Sequence, residues 1–158
     1  MVIKLSEELL QRIDRLESRV DINGLVSDYC HGFDKRKEEV FMAIWAEDCV
    51  WNIGPPFGSF EGLAGVRHAL LDVLWPAWDL SQHVTSNLVI DFVDDHTAAS
   101  RCDVDCTGRL AASPDATFVG ASYYDRLVRR NGIWKIQQRD VAIHYFNGFS
   151  GTTLSPPE

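Results

Sequence analysis

Five histidines are the first residues to examine for chemistry near neutral pH, because imidazole titrates closest to neutrality. Four of them fit structural positions. His31 ends a predicted helix, where a cation favours the helix dipole. His68 fits the solvent side of a helix, and His96 fits a tight turn. His144 fits a hydrogen-bonded position in the wall of the last strand. The fifth, His83, has a position for which a structural and a functional interpretation must be compared.

His83 opens the first long predicted strand, just after an aromatic segment at 75–78. Side chains alternate between the two faces of a strand, so His83 shares a face with Thr85 and Asn87. Leu88 and Ile90 fall on the other, apolar face. The alternation favours a solvent-facing His83, and the lining of a polar pocket is the alternative.

Two charged residues stand in positions that call for a partner. Asp34 lies in the break between two predicted helices and by itself fits an N-cap of the second helix. Nothing in the spacing pairs it with His83. Arg139 lies in the last strand on a face shared with apolar residues, where a charge needs an anionic partner or a ligand. A salt bridge to Asp140 or to a neighbouring strand satisfies the same requirement.

Other chemistries find little support in the residue pattern. The sequence has no Gly-x-Ser-x-Gly elbow, phosphate loop, Gly-x-Gly-x-x-Gly fingerprint or His-Glu-x-x-His helix. Cys102 and Cys106 fall about 13 Å apart on one face of a strand, too far for a disulfide or a shared metal. We therefore expect four free thiols, no metal site and no cofactor.

Length and charge bound the class of protein. The 158 residues, of which 46% are hydrophobic, fit one domain over 1–158 with a core at about 6–147 and a tail at 148–158. The formal net charge of −8, without a basic patch, argues against a nucleic-acid partner. No signal peptide or membrane-length apolar run is visible, so a cytoplasmic protein without a membrane partner is expected.

The order of elements indicates the fold class. Helical patterns come first and strand patterns follow, with hairpin turns at Asp94-Asp95 and Asn131-Gly132. This order predicts an α+β domain shaped like a cone, in which the N-terminal helices pack on the concave side of a strongly curved antiparallel sheet and leave a pocket. The predicted helices cover about 6–30, 36–45 and 63–74; the predicted strands cover 49–53, 83–92, 97–110, 117–130 and 133–146.

Three ordered stretches resemble the dehydrochlorinase and dehydratase branch of the SnoaL-like, nuclear-transport-factor-2-like superfamily. The first is Asp34-Lys35-Arg36 with Ile44-Trp45. The second is Leu74-Trp75-Pro76 followed by His83. The third is Gly132-Ile133-Trp134-Lys135 followed by Arg139 and Tyr145-Phe146. The match spans about residues 14 to 150. The chain resembles hexachlorocyclohexane dehydrochlorinases and, more distantly, scytalone dehydratase.

This resemblance implies roles for individual residues. His83 falls on the family's catalytic base, Asp34 on the carboxylate that orients it, and Arg139 on the cation that stabilises the departing group. Two positions depart from the dehydrochlorinase pattern. Tyr29 replaces the lysine that helps to stabilise a leaving chloride, and Ser81 replaces a cysteine.

The implied activity is a cofactor-free lyase, dehydratase-like or dehydrohalogenase-like, acting on a small hydrophobic and cyclic substrate. A tyrosine at position 29 suits a leaving hydroxyl or a carbonyl oxygen better than chloride. An isomerase or cyclase on the same fold and a non-enzymatic binding domain are the alternatives. The resemblance also implies a homotrimer, with a dimer as the other possibility. The residues expected to line the pocket are Tyr29, Phe33, Trp45, Trp51, Trp75, Ser81 and Tyr124.

Overall fold

A single long helix, α1 (Glu7–Asp34), opens the computed structural model, which describes residues 6–155. The ends of the predicted domain at 1–5 and 156–158 lie outside the described residues. The Leu9 N–H donates to the Ser6 hydroxyl at 3.3 Å, so Ser6 is the N-cap of this helix. The helix runs past its predicted end near residue 30, and Asp34 is its last residue rather than the cap of the next helix.

Gly32 explains why the predicted break lies inside a helix. The backbone of Phe41 approaches so closely that a Cβ at Gly32 would lie 2.7 Å from the Phe41 nitrogen. Glycine is therefore required for the contact between α1 and the second helix and does not end α1. The second helix, α2 (Glu38–Ala43), is shorter than predicted, because Trp45 already begins the first strand.

A six-stranded curved sheet that does not close supplies the rest of the core, and the predicted α+β cone is confirmed. The spatial order is β2-β1-β6-β5-β4-β3. All neighbours are antiparallel except β1 and β6, which pair in parallel. The strands are β1 (Trp45–Gly54), β2 (Gly58–Glu61), β3 (Trp78–Phe92), β4 (Thr97–Leu110), β5 (Asp115–Arg130) and β6 (Ile133–Thr153).

The connections between these strands differ from the prediction in two places. Strand β2 was not predicted, because its four residues follow a Pro-Pro turn that reads as a loop. The predicted third helix consists of α3 (Gly62–His68), a π-helical segment (Ala69–Leu74) and a short turn, α4 (Trp75–Ala77). The Asn131-Gly132 hairpin is confirmed, since both residues have positive φ angles of 52° and 79°.

The C-terminal segment is more ordered than its composition suggests. Residues 148–153, predicted as part of the tail at 148–158, continue β6 and pair with β5. Phe149 lies opposite Ala116, and its ring contacts Phe118 with centroids 4.6 Å apart. Aromatic packing on one face therefore extends the strand through a Gly- and Ser-rich stretch.

Helix α1 packs on the sheet through a face that differs from the predicted one. Ser18, Ile22, Leu25 and Tyr29 are buried at the contact with the sheet. Helical spacing in the sequence predicts a buried stripe, of which only Leu25 is buried. The other four members of that stripe are exposed: Leu9, Ile13, Leu16 and Val20. Within residues 6–155, no helix is long and apolar enough to cross a membrane.

Candidate active site

A bulge in β3 brings His83 onto the inner face of the sheet. Between Ser86 and Val89, β3 contains one residue more than the paired stretch of β4, and Asn87 there has a φ of 56°. The extra residue reverses the alternation. His83 on one side of the bulge and Ile90 on the other therefore face the same interior. The solvent-facing position favoured by simple alternation is wrong.

Asp34, at the end of α1, meets His83 directly. Asp34 Oδ1 lies 2.7 Å from His83 Nδ1 and accepts a second hydrogen bond, also 2.7 Å long, from the Ser81 hydroxyl. Asp34 Oδ2 accepts the backbone N–H of His83 at 2.7 Å. The side chains of His83 and Asp34 are only 11% and 5% exposed. Three donors therefore fix this carboxylate and, through it, the plane of the imidazole.

The three hydrogen bonds decide the charge state of Asp34. Burial by itself raises the pKa of this carboxyl, but the hydrogen bonds and charge of His83 and the hydroxyl of Ser81 outweigh burial and hold the pKa below its usual value. Asp34 is therefore ionised at neutral pH. A carboxylate in this position stabilises the imidazole tautomer that carries its proton on Nδ1.

His83 lines a largely apolar cavity with a volume of about 80 Å³. His83 forms its hydrogen bonds through its backbone N–H and Nδ1, and none is formed to Nε2 within residues 6–155. Phe33 packs on the imidazole at 5.2 Å between ring centroids, and Tyr29 packs on it at 6.2 Å. The wall is made of Tyr29, Phe33, Trp51, Ile53, Phe57, Leu74, Trp78, His83, Val104, Cys106, Val119, Ala121, Tyr123, Val141, Ile143 and Phe146.

Arg139 lies behind this wall rather than on it. Its guanidinium is fully buried and forms a two-pronged ion pair with Asp125, with Nε–Oδ1 at 2.8 Å and Nη2–Oδ2 at 2.7 Å. Tyr29 and Tyr123 cover the guanidinium, each with its ring centroid 4.3 Å away. The anionic partner comes from the neighbouring strand β5, which is one of the alternatives that the sequence left open, and Arg139 does not line the cavity.

The surroundings of Arg139, Tyr29 and Tyr123 determine their protonation states. Burial would lower the pKa of Arg139, but the Asp125 carboxylate raises it above its usual value, so the guanidinium stays charged. Burial raises the pKa of both Tyr29 and Tyr123 above the usual value, and the charge of Arg139 only partly opposes this. Both phenols therefore remain protonated donors at neutral pH. Among the described residues, Arg139 Nη1 has no hydrogen-bond partner.

Four of the predicted pocket residues are placed differently from the prediction. Trp45 is buried behind the wall, where it packs on Trp51 with centroids 5.6 Å apart. Trp75 donates from its indole to the Phe33 carbonyl at 3.1 Å and does not line the cavity. The Ser81 hydroxyl is bound to Asp34 behind His83. Tyr124 is 49% exposed on the outer face, because its neighbour Tyr123 takes the inner position opposite Cys102.

The remaining candidates have structural surroundings. His68 bonds to Asp72 at the protein surface at 2.8 Å, and His144 bonds to the Ser122 hydroxyl at 2.9 Å. His31 and His96 are exposed. The four cysteines are free, as predicted, and all four are buried. Burial raises the pKa of the Cys106 thiol, which faces the cavity, to about 12. Among residues 6–155, no three acidic, histidine or cysteine side chains form a group that could hold a metal ion.

Comparison with known proteins places the chain among enzymes of known class. The SnoaL-like domain family matches residues 14–140. Hexachlorocyclohexane dehydrochlorinase 1 of Sphingobium indicum is 33% identical over 92% of this chain and 94% of its own length. A solved hexachlorocyclohexane dehydrochlorinase of type 2 superposes with a TM-score of 0.89, at 33% identity, over 92% of this chain and 98% of that chain.

A solved structure with lower sequence identity shares the fold with this chain, and the similarity supports no conclusion beyond the fold. A candidate scytalone dehydratase from Novosphingobium aromaticivorans is 23% identical and superposes with a TM-score of 0.79. The alignment covers 92% of this chain and 96% of that chain.

Proposed function

We propose that this chain, which belongs to the SnoaL-like family, is a cofactor-free lyase that uses His83 to take a proton from a carbon atom of its substrate. The observation that carries the proposal is the 2.7 Å contact between His83 Nδ1 and Asp34, at the wall of an apolar cavity. With Nδ1 bound to the carboxylate, the lone pair of Nε2 is available to a substrate. The dehydrochlorinases that this chain resembles are lyases, which supports the same class of reaction.

The elimination follows from the placement of these groups. His83 Nε2 removes a proton from carbon, and the electron pair of that C–H bond forms a carbon–carbon double bond. The leaving group departs from the adjacent carbon with its own bonding pair. Asp34 stabilises the imidazolium that forms. If the leaving group is hydroxide, it takes up the proton removed by His83, so water leaves and the base is neutral again.

Two phenols and one buried cation are placed to stabilise the negative charge that develops during the elimination. Tyr29 and Tyr123 line the cavity as protonated donors, and the Arg139 guanidinium lies 4.3 Å behind both rings. Donors held in position by packing stabilise charge that develops on an oxygen without reorganising. Arg139 acts through the tyrosines and is a positioning residue in this scheme.

The walls of the cavity favour a small, apolar and cyclic substrate. Aromatic and aliphatic side chains dominate the wall. The ring of Tyr29 lies near two other polar wall residues, with centroids 6.2 Å from His83 and 5.3 Å from Tyr123. The dehydrochlorinases named above act on hexachlorocyclohexane. The position of Tyr29, where the dehydrochlorinases carry lysine, favours dehydration over the release of chloride, since a phenol donates well to an oxygen but carries no charge. A homotrimer and a cytoplasmic location also stay predictions that rest on the resemblance.

Product analysis tests the reaction class. The purified protein is incubated with hexachlorocyclohexane and, separately, with cyclic β-hydroxy ketones, and the products are identified by mass spectrometry. Loss of water or hydrogen chloride supports a lyase. A product of unchanged mass supports the isomerase, which would use the same base next to a carbonyl. Binding without conversion of any compound would support a non-enzymatic domain.

Tyr29 is expected to contribute strongly to turnover. Tyr29→Phe keeps the ring on Arg139 but removes the hydroxyl donor, so kcat should fall by about 10²–10³-fold. Tyr124→Phe is the matched control, because that phenol lies on the outer face and its loss should leave kcat unchanged. Tyr29→Lys should increase chloride release from hexachlorocyclohexane. Rapid chloride release by the natural protein, or full activity of Tyr29→Phe, would contradict this role.

A further inference from the structure

Helix α1 carries a second apolar face that the fold does not use. Leu16 and Val20 precede the buried residues Ser18 and Ile22 by two positions, which is about 200° around a helix. They therefore point directly away from the sheet. The same face continues toward the N-terminus, and all four of its apolar residues are exposed: Leu9 40%, Ile13 37%, Leu16 63% and Val20 71%. We refer to these four residues as the outer stripe.

The spacing of the outer stripe is that of a helix–helix seam. Its members are separated by four, three and four residues, which is the alternation of d and a positions in a heptad repeat. Isolated exposed apolar residues are common on protein surfaces, but a contiguous row at this spacing marks an interaction surface. The family model matches from residue 14, so Leu9 and Ile13 lie before the matched residues.

The charges beside the outer stripe indicate the partner. With Ile13 and Val20 at a positions, Arg12 occupies a g position and Glu17 the following e position. In a parallel, in-register pair of helices, each g residue meets the e residue five positions later on the partner. Arg12 of one copy therefore meets Glu17 of the other, twice across a two-fold axis. An antiparallel pair would instead place Arg12 near the Arg19 of its partner.

Neither charged residue is engaged within the fold. The neighbouring charged residues on α1 do form ion pairs within the fold: Asp14 bonds to Arg129 at 2.9 Å, and Arg15 bonds to Asp95 at 3.2 Å. Across the part of the chain that the structure describes, Arg12 and Glu17 form no ion pair. Because the stripe lies on the side of α1 opposite the sheet, two domains could pair through it with their bodies on opposite sides of the helix pair.

We propose that the outer stripe binds the same stripe of a second copy of this chain, forming a parallel, in-register helix pair with two Arg12–Glu17 ion pairs. This contact involves the outside of α1 and leaves the cavity and the sheet untouched. It doubles whatever unit the domain forms otherwise, so a trimeric unit would become a hexamer. Since the seam covers less than two full heptads, the pairing should depend on protein concentration.

The mass of the full-length protein in solution tests the pairing. Sedimentation equilibrium over a concentration series should show a unit that doubles in mass. Leu16→Glu should halve the mass at high concentration, whereas Val93→Glu, at an exposed valine in the β3–β4 turn, should not. No doubling up to the solubility limit, or doubling that Leu16→Glu leaves unchanged, would overturn the proposal.

Two further variants test the partner and the direction. Arg12→Glu and Glu17→Arg should each weaken the doubling, and the two substitutions together should restore it. Leu9→Cys should form an interchain disulfide on oxidation, because residue 9 meets its own copy only in a parallel pair. In an antiparallel pair residue 9 meets residue 20, about 16 Å along the helix. Absence of both the charge rescue and the disulfide would exclude the parallel self-pairing.

Discussion

Turnover by His83→Ala is expected to fall by about 10²–10⁴-fold, the usual contribution of a general base. The reason is that the structure offers no second base at this position of the cavity wall within residues 6–155. The variant is assayed on whichever compound the natural protein converts in the product analysis, and its thermal unfolding is compared with that of the natural protein. His68→Ala is the matched control, since that imidazole bonds only to Asp72 at the surface.

The carboxylate partner should behave as part of the same unit. Asp34→Asn keeps the shape of the side chain but removes its charge and admits the wrong imidazole tautomer. A loss of up to about 10⁴-fold, and no larger than that of His83→Ala, is expected by analogy with the aspartate of serine proteases. The double variant His83→Ala/Asp34→Asn should be no slower than His83→Ala alone, because residues that act as a unit are not additive. Full activity of His83→Ala, or additive losses, would remove the dyad from the mechanism.

Breaking the buried ion pair should have the largest effect on stability. Arg139→Met leaves the Asp125 carboxylate buried without its cation, which should lower the free energy of unfolding by about 3–5 kcal/mol. The measurement is denaturant unfolding monitored by circular dichroism. Arg101→Met is the matched control: it breaks the exposed pair with Asp91 and should cost about 0–1 kcal/mol.

A double substitution tests whether the unpaired buried carboxylate causes such a loss of stability. Arg139→Met/Asp125→Leu removes both charges and should be more stable than Arg139→Met alone, because no unpaired charge remains buried. An unfolding free energy of Arg139→Met within about 0.5 kcal/mol of the natural protein would contradict the buried pair. Since Arg139 holds Tyr29 and Tyr123 in place, activity in these variants should be compared only where the fold is intact.

Irregularities in the strands limited what the sequence could predict about the site. Simple alternation placed His83 on the solvent side, because it takes no account of the one-residue bulge at 86–89. Apart from Asn87, no residue in the sequence indicates that bulge. A second bulge hid the partner of Arg139. Counting back from the Asn131-Gly132 turn places Asp125 opposite Gln138, whereas the bulge near Arg126 moves it opposite Arg139. The resemblance located His83 and Asp34 despite this, because it rests on ordered motifs and not on alternation.

The fold itself could be predicted well because its signals are local. Helical periodicity followed by strand patterns and an Asn-Gly turn gave the α+β cone. The family predicted from the resemblance is confirmed, and the relatives that match most of the chain are dehydrochlorinases, which are enzymes of the predicted lyase class. The helix face was mistaken because α1 has two apolar sides, and periodicity does not tell which side meets the sheet. Tyr124 was predicted to line the pocket instead of Tyr123, because the sequence does not indicate which of two adjacent tyrosines faces inward.

The protonation of the two His83 nitrogens tests the central claim most directly, and it needs no substrate. Long-range proton–nitrogen NMR spectra of the natural protein resolve the imidazole nitrogens, with His83→Ala used to assign the signal. The account predicts that the neutral ring of His83 carries its proton on Nδ1, toward Asp34, and leaves Nε2 unprotonated toward the cavity. Asp34→Asn should shift this tautomer balance. A neutral His83 in the natural protein with its proton on Nε2 would contradict the account, because no lone pair would then face the substrate.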